Sequence, residues 1–489
     1  MYRAKYRNQV ELKPGFRLPA NSELPRGNRW EMAAEVIPWD FIEEEYAKSF
    51  GREGHPAYSS RLAFGALYIK ERMNWSDEET VEQIRENPYL QMFLGFTEFR
   101  YDRPFDSSLM VHFRKRFGKD FIMRINAEII EADEAKKKDD HRDGDGGATG
   151  GTEEPADKHN ENKGKLILDA TCAPADIKYP KDVDLLNDCR VSMEKIIDKL
   201  FDSITGTVTK PRTDRTEARK RYLRFIKSKK PRKPQIRKAT REQLRYVRRN
   251  LRSIHILVDN GADTSQLTAR EWKDIRVSHE VLRQQMMMYG NKEHRITNRI
   301  VSLSQPHVRA IIRGKARTNV EFGAKVHLSV INGFTNIENL SWDPFNEGNE
   351  LIDSVNRYHD RYGHYPKAVL ADKIYRTREN LRFCKLHEIR LSGPPLGRPT
   401  YEEILTSNSK RMEYEDNSER NEIEGKFGLG KRKYGLDLIM SKLAYTSESE
   451  ISMQFLVMNV EMIVGLFFTI FYLLKNSIKI PKYQLQYAE

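Results

Sequence analysis

Cysteine is scarce in this chain: Cys172, Cys189 and Cys384 are the only three among 489 residues. They lie far apart, so neither a zinc-type paired spacing nor a disulfide framework can be built from them. A reducing, cytoplasmic setting is the simple expectation. The opening residues, MYRAKYRNQVELKPGF, lack an apolar h-region, which argues against a secretory signal. Long hydrophobic runs are missing too. The stretch Met462 to Leu474 is apolar throughout but only 13 residues long, with Asn459 and Glu461 just before it. A spanning helix needs about 20 apolar residues. The stretch therefore reads as a buried core helix, and no membrane partner is expected.

Acidic residues are short in one place. Between Lys210 and Arg252 there are 19 Lys and Arg against three acids, a net of +16, while the whole chain carries +13. The remaining 446 residues are thus slightly acidic, at −3. A local excess of this kind is the electrostatic footprint of phosphate-backbone binding, or else a solvated charged helix face. Arg245, Arg248 and Arg249 are its candidate DNA contacts. Tyr222, Phe225 and Tyr246 interleave with the basic residues, where helix core is the simpler role.

The rest of the chain has a clear order of patterns. Up to residue 131 it reads as helical: Leu62, Ala66, Ile69 and Met73 share a stripe, and Ser76 with Glu79 forms a capping-box pattern. Leu109, Phe113 and Phe117 stand at helical spacing with Arg114, Lys115 and Arg116 between them. Such short helices fit either a helix-turn-helix reader or an ordinary bundle, and the basic segment elsewhere favours DNA. Residues 132–163 are polar and Gly-rich, as a flexible linker is, and their DGDGG misses the calcium-loop spacing. Beyond them short strands alternate with helices, which indicates an α/β domain. Leu166–Asp169 and Ala368–Asp372 are apolar runs that each end in Asp. Val326, Leu328 and Val330 alternate before Asn332-Gly333, a hairpin signal.

An Asp at one strand end is commonly a cap. Two in one α/β domain, followed by an acidic helix, point to carboxylates gathered around hard cations. Oxygen-only ligands favour magnesium or manganese, and two such ions suit in-line phosphoryl displacement. The third acid comes from the run RNEIEGKFGLGK. On a helix Glu424 lies about 40° from Arg420 and Lys431 about 20° from Glu424, with Glu422 on the far side. The glycines at 425, 428 and 430 weaken a helix there, or else admit a DNA backbone.

These motifs resemble the DDE transposases of bacterial insertion sequences, in the group with a Y-x2-R-x3-E-x6-K signature and its insertion-sequence-five-type branch. The likeness runs through LILDATCAPADIKYPKDVDLLN, RIVSLSQPHVRAIIRGKARTNVEFGAKVHLSVINGF, ADKIYRTRENLRFCK and RNEIEGKFGLGKRKYGL, and N-terminally through SSRLAFGALYIKERMNWSDEETVEQIRENPYLQMFLG and DSSLMVHFRKRFGKDF. It implies a ribonuclease-H-like catalytic domain (164–183 and 315–475), a helical basic insertion (184–314), an all-α N-terminal domain (1–131) and a tail (476–489). It implies Asp169, Asp372 and Glu424 as catalytic and metal-binding residues for two Mg²⁺ or Mn²⁺ ions. Arg420 and Lys431 fill the R and K positions, which contact DNA; the Y position is Asn417, with Tyr414 one turn away. Double-stranded DNA, as terminal inverted repeats and target, is the implied partner, with a homodimer in the DNA complex and a place at the nucleoid when bound. A ribonuclease-H-like nuclease and a non-enzymatic, transposase-derived DNA-binding protein are the competing readings.

Overall fold

In the computed structural model, a six-stranded mixed sheet supports helices on both faces and a separate helical bundle. Described are residues 16, 18, 24–51, 56–142, 162–204, 209–312, 320–393 and 407–477, with no side chains for 138–142, 407–410 and 470–477.

The N-terminal helices are α1 (Arg29–Val36), α2 (Trp39–Ala47), α3 (Ser60–Met73), α4 (Asp77–Glu86), α5 (Pro88–Phe93), α6 (Leu109–Arg116) and α7 (Lys119–Arg142). Their starts follow the sequence signals. Ser59 accepts from the Leu62 amide, and Ser76 accepts from the Glu79 amide at 3.1 Å. The expected box at Ser76 is only half made, because the Glu79 carboxylate accepts from Gln83 at 2.9 Å. Helix α7 runs eleven residues into the stretch read as a linker. Alanine, Glu and Lys there are good helix formers, and Asp133 pairs with Lys137 one turn on at 2.6 Å. The DGDGG run lies outside the described residues.

Strand β1 (Lys165–Pro174) is followed by α8 (Asp182–Asp202), α9 (Arg215–Ile226), α10 (Lys233–Asp259) and α11 (Ala269–Asn291). These four helices hold their own core, including Leu186, Ile196, Val247, Leu251 and Leu257. The chain then returns to the sheet through β2 (Arg309–Ile312), β3 (Val320–Ile331) and β4 (Phe334–Ser341). Strand β2 pairs with the start of β3, so the insertion ends before it and not at residue 314. Asn332 (φ 52°) and Gly333 (φ 85°) make the β3–β4 turn with the left-handed backbone that Asn-Gly favours. Helix α12 (Leu351–Tyr362), β5 (Ala368–Leu370), α13 (Arg378–Leu386) and β6 (Arg390–Leu391) complete the sheet, and α14 (Ser407–Lys433) and α15 (Ala444–Ser477) close the described chain.

The strand order is β2-β3-β1-β5-β6 with β4 also on β3. Strands β3 and β1 are antiparallel, whereas β1, β5 and β6 run parallel. One face packs Leu166, Leu168 and Val369 against Leu351, Val355 and Cys384 of α12 and α13. The opposite face carries Val326, Leu328 and Val330 as expected, and it shares one core with the N-terminal helices, Ile423 and Phe427 of α14, and α15. His327 and Ser329 are buried as well, since a sheet covered on both sides leaves no solvent face.

Helix α15 joins the N-terminal helices to the sheet. Its fully buried Asn459 accepts from the Thr335 amide (2.9 Å) and donates to the Thr335 carbonyl (2.8 Å) and to Asn126 of α7 (2.7 Å). Glu461 takes a two-pronged ion pair from Arg72 of α3, at 2.6 and 2.9 Å. By length and composition Ala444–Thr469 is apolar enough to cross a membrane, yet 67% of it is buried in this fold. The expected core helix at Met462–Leu474 is only partly that: packing ends at Val464, and Leu466, Phe467 and Phe468 are exposed.

Candidate functional site

Strand register brings the two aspartates together. Strand β1 pairs with β5 so that Leu166 faces Val369 and Ile167 faces Leu370. The pairing stops there, and Asp372 follows two residues beyond the end of β5, at the end of the sheet where Asp169 follows Ile167 by two residues in β1. Asp169 is half-buried within β1, and one oxygen accepts from the Ala170 amide at 2.8 Å. Asp372 is exposed just beyond β5, where it caps the one-turn helix Lys373–Tyr375 by accepting from the Lys373 amide at 2.6 Å. The cap is the ordinary role of such an Asp.

Helix α14 packs across β1 and β5 and brings the third acid. It is pinned at two points: Asp416 holds Arg390 at the start of β6, and Glu419 holds Lys165 at the start of β1 at 2.6 Å. Ile423 and Phe427 bury its inner side. Those fixtures leave Arg420 half-buried toward the sheet and Glu424 exposed at its edge, 3.7 Å apart. The helix passes through Gly425, Gly428 and Gly430 unbroken. A Cβ at Gly430 would come within 3.1 Å of Leu436, whereas Gly425 faces open space. Asn417 and Tyr414 are both exposed, Tyr414 at 76%.

Electrostatics bind these groups into one site. Burial pushes the Asp169 carboxyl up to about 6; its amide bond and Arg420 oppose that, while Glu347 and Glu424 add to it. Glu347 was not anticipated from the sequence. It begins the one-turn helix Glu347–Glu350 after β4, and Lys325 of β3 pairs with it at 2.8 Å. Tyr375 is also new: it is fully buried, and its hydroxyl has no partner among the described residues. Only a spatial argument finds either residue, because Glu347 lies 25 positions before Asp372 in an unremarked loop.

Not everything converges. Among the described residues no three His, Cys, Asp or Glu side chains stand close enough to hold one metal ion. The three acids are therefore neighbours, not a preformed cage. Lys431 is half-buried and lies about 16 Å along α14 from Arg420, too far for the two cations to share one anionic group.

The other candidate DNA contacts sit on the inserted bundle. Arg245 and Arg248 are exposed on α10, Arg248 touching the Met286 sulfur. Arg249 turns inward instead: it pairs with Asp214, donates to the Thr213 carbonyl and so fastens the start of α9. Tyr222 is half-buried and donates to Asp184 at 3.0 Å, a structural role. Arg114, in the N-terminal helices, is likewise buried and bidentate on Asp77.

With this geometry in place, the comparisons fall on the same regions. Residues 369–461 match the family model described as transposase DDE domain, and residues 19–116 match that of the transposase domain DUF772. The first match takes in Asp372, Arg420, Glu424 and Lys431; Asp169 lies outside both. Two segments of the chain are thus similar to transposase domains, the C-terminal one to a DDE domain. The chain is 39% identical over 99 residues to the uncharacterized protein ORF8 in the nfe locus of Rhizobium meliloti. That match covers 20% of this chain and about half (48%) of the relative's length. No solved structure matches the chain.

Proposed function

We propose that this protein cleaves DNA at the ends of an insertion sequence and joins the freed 3′-OH to target DNA. The observation that carries the reading is that Asp372 leaves β5 just past its pairing with β1, the strand that bears Asp169, with Glu424 near Asp169 on a helix pinned to the same sheet. The strand order, an antiparallel β4-β3-β1 ribbon continued by parallel β5 and β6, supports a ribonuclease-H-like domain. The donor chemistry suits divalent cations, since the acids offer only oxygens and burial raises the Asp169 carboxyl to about 6, while the separation of the acids means that they would have to draw together around an ion.

Asp169, Asp372 and Glu424 would hold two Mg²⁺ or Mn²⁺ ions. Bound there, such ions supply Lewis-acid stabilisation of the attacking and leaving oxygens. The chain's own residues do the rest. Asp169, fixed by the Ala170 amide, keeps its carboxylate aimed out of the sheet. Arg420 offers a guanidinium to a non-bridging phosphate oxygen, since its 3.7 Å contact with Glu424 is loose enough to exchange for phosphate. The open surface at Gly425 lets a backbone approach α14 closely. Both displacements are in line and need positioning and charge neutralisation, with no protein nucleophile.

The basic bundle would hold flanking or target DNA through phosphate contacts, which fix position without reading sequence. The reading includes inverted-repeat and target DNA as partners, a dimer that pairs two ends, and a cytoplasmic, nucleoid-bound location. The test incubates the protein with labelled DNA ends bracketing its gene, a target plasmid and Mg²⁺. Joined products are expected. Cleavage without joining would make it a nuclease, and specific binding without cleavage would make it a DNA-binding derivative.

A further inference from the structure

A second polar cluster lies at the edge of the sheet away from β6. Among the described residues β4 pairs only with β3, so this edge is open. Asn336 and Glu338 of β4, Arg357, Tyr358 and Arg361 of α12, and Asn126 of α7 line a cavity there of about 90 Å³. Asn336 is 6% exposed, and its Nδ2 has no hydrogen-bond partner among the described residues. The acceptors around it are already taken. One Glu338 oxygen accepts from the Ser329 hydroxyl and the other from Arg357, both at 2.6 Å, and Asn126 Oδ1 accepts from Asn459 at 2.7 Å. Arg361 stands one helical turn beyond Arg357. It is exposed, touches the Tyr362 hydroxyl and enters no ion pair among the described residues.

We propose that this cavity binds a phosphate group, with Asn336 Nδ2 donating from its floor and Arg361 from its rim, beside the N–H groups of Arg357 that Glu338 leaves free. The open groups are all donors, so an oxyanion satisfies them and a cation does not. Glu338 neutralises Arg357, and the charge of Arg361 remains. Like charges four apart on a helix repel, and an anion between them removes that repulsion. A buried N–H left unpaired is costly, and native folds rarely keep one without a ligand or water to complete it. The guanidinium fork suits the oxygens of phosphate. A simpler account has Arg361 complement the C-terminal end of α12 while a water completes Asn336. That account gives Arg361 no response to phosphate. Strand β4 is two strands from β1, roughly 10 Å, so a phosphate here is not the one at the acidic site. The DNA backbone and free phosphate present the same oxygens, and the site stands whether or not the chain cleaves DNA.

The test follows modification of each arginine of the full chain by phenylglyoxal, which attacks free guanidinium groups, with peptides read by mass spectrometry. Inorganic phosphate should slow modification of Arg361 several-fold, and that of Arg245, exposed on α10, far less. Asn336→Leu should abolish the protection of Arg361. Its melting temperature without phosphate should be unchanged or raised, because an apolar side chain replaces an unpaired donor. In Arg361→Gln, phosphate should no longer protect Arg357. A short duplex of arbitrary sequence distinguishes the sources: protection by phosphate and duplex alike assigns the site to DNA backbone, and protection by phosphate alone assigns it to a free anion. Protection by duplex alone would overturn the proposal, since bound DNA covers an arginine without any cavity. It would also fall if phosphate left Arg361 as reactive as before, protected it no more than Arg245, or still protected it in Asn336→Leu.

Discussion

The acidic sheet end and the basic inserted bundle handle charge in opposite ways. At the sheet end, side chains are placed by fixtures: register, the two ion pairs on α14 and the Asn380 bridge between the Gly348 and Tyr375 carbonyls fix the segments that carry Asp169, Glu347, Asp372 and Glu424. On the bundle, most of the basic residues of α9 and α10 simply point outward from a core that does not need them. Precise chemistry needs preorganised groups. Sliding or positional grip on a phosphate backbone needs only a positive surface. The two regions follow that division.

The largest effect that would break this comparison is at the sheet end. Asp372→Ala should lower DNA cleavage by about 10³-fold or more, the loss of several kcal/mol of charge stabilisation, while DNA binding stays close to wild type. Equal losses of binding and cleavage would show that Asp372 matters only as a cap.

Next in size is the joint between the sheet and the N-terminal helices. Replacing Asn459 by Leu strands the Thr335 and Asn126 groups that it satisfies, and should cost on the order of 2–3 kcal/mol in urea unfolding. An unchanged unfolding midpoint would mean that the N-terminal helices and sheet do not depend on this contact.

On the bundle, Arg245→Ala with Arg248→Ala should weaken binding to any DNA sequence and reduce the slope of log K against log salt by about 2. Arg249→Ala should behave differently, loosening α9 and lowering the melting temperature, because its guanidinium is already spent on Asp214 and Thr213. A salt slope altered by Arg249 alone, at constant stability, would reverse that assignment.

The smallest effect is in pH. Asp169 stands near 6 before metal binds, raised first by burial. Below that value it is increasingly protonated, and protons compete with metal, so apparent Mn²⁺ affinity should fall as pH drops from 7 to 5. In Asp169→Asn the remaining slope should be shallower over that window. An identical pH profile would remove Asp169 from the binding site.

The sheet end was legible only in part: Asp372 follows a short apolar strand as expected, but β1 runs past Asp169 to Pro174, because Thr171, Cys172 and Ala173 continue its buried pairing with β3, so that Asp stands mid-strand and not at a strand end. Glu347 was not legible: its approach depends on the close contact of Gly348 with the Ile374 carbonyl and on the Asn380 bridge between segments far apart in the chain. The basic segment was visible in composition, but composition does not say which arginines are spent internally, as Arg249 and Arg114 are. The linker boundary failed for a related reason. Polar residues suggested disorder, while their helix propensity and the Asp133–Lys137 pair extended α7. The C-terminal apolar run was read as core from its length alone, and only the packing shows that burial stops at Val464.

The most direct measurement compares wild type with Asp169→Ala, Asp372→Ala and Glu424→Gln on inverted-repeat DNA in Mg²⁺, scoring strand cleavage under conditions where all four bind the DNA. Cleavage by wild type and its loss in every variant is the predicted result. Undiminished cleavage in any one of them would contradict the triad.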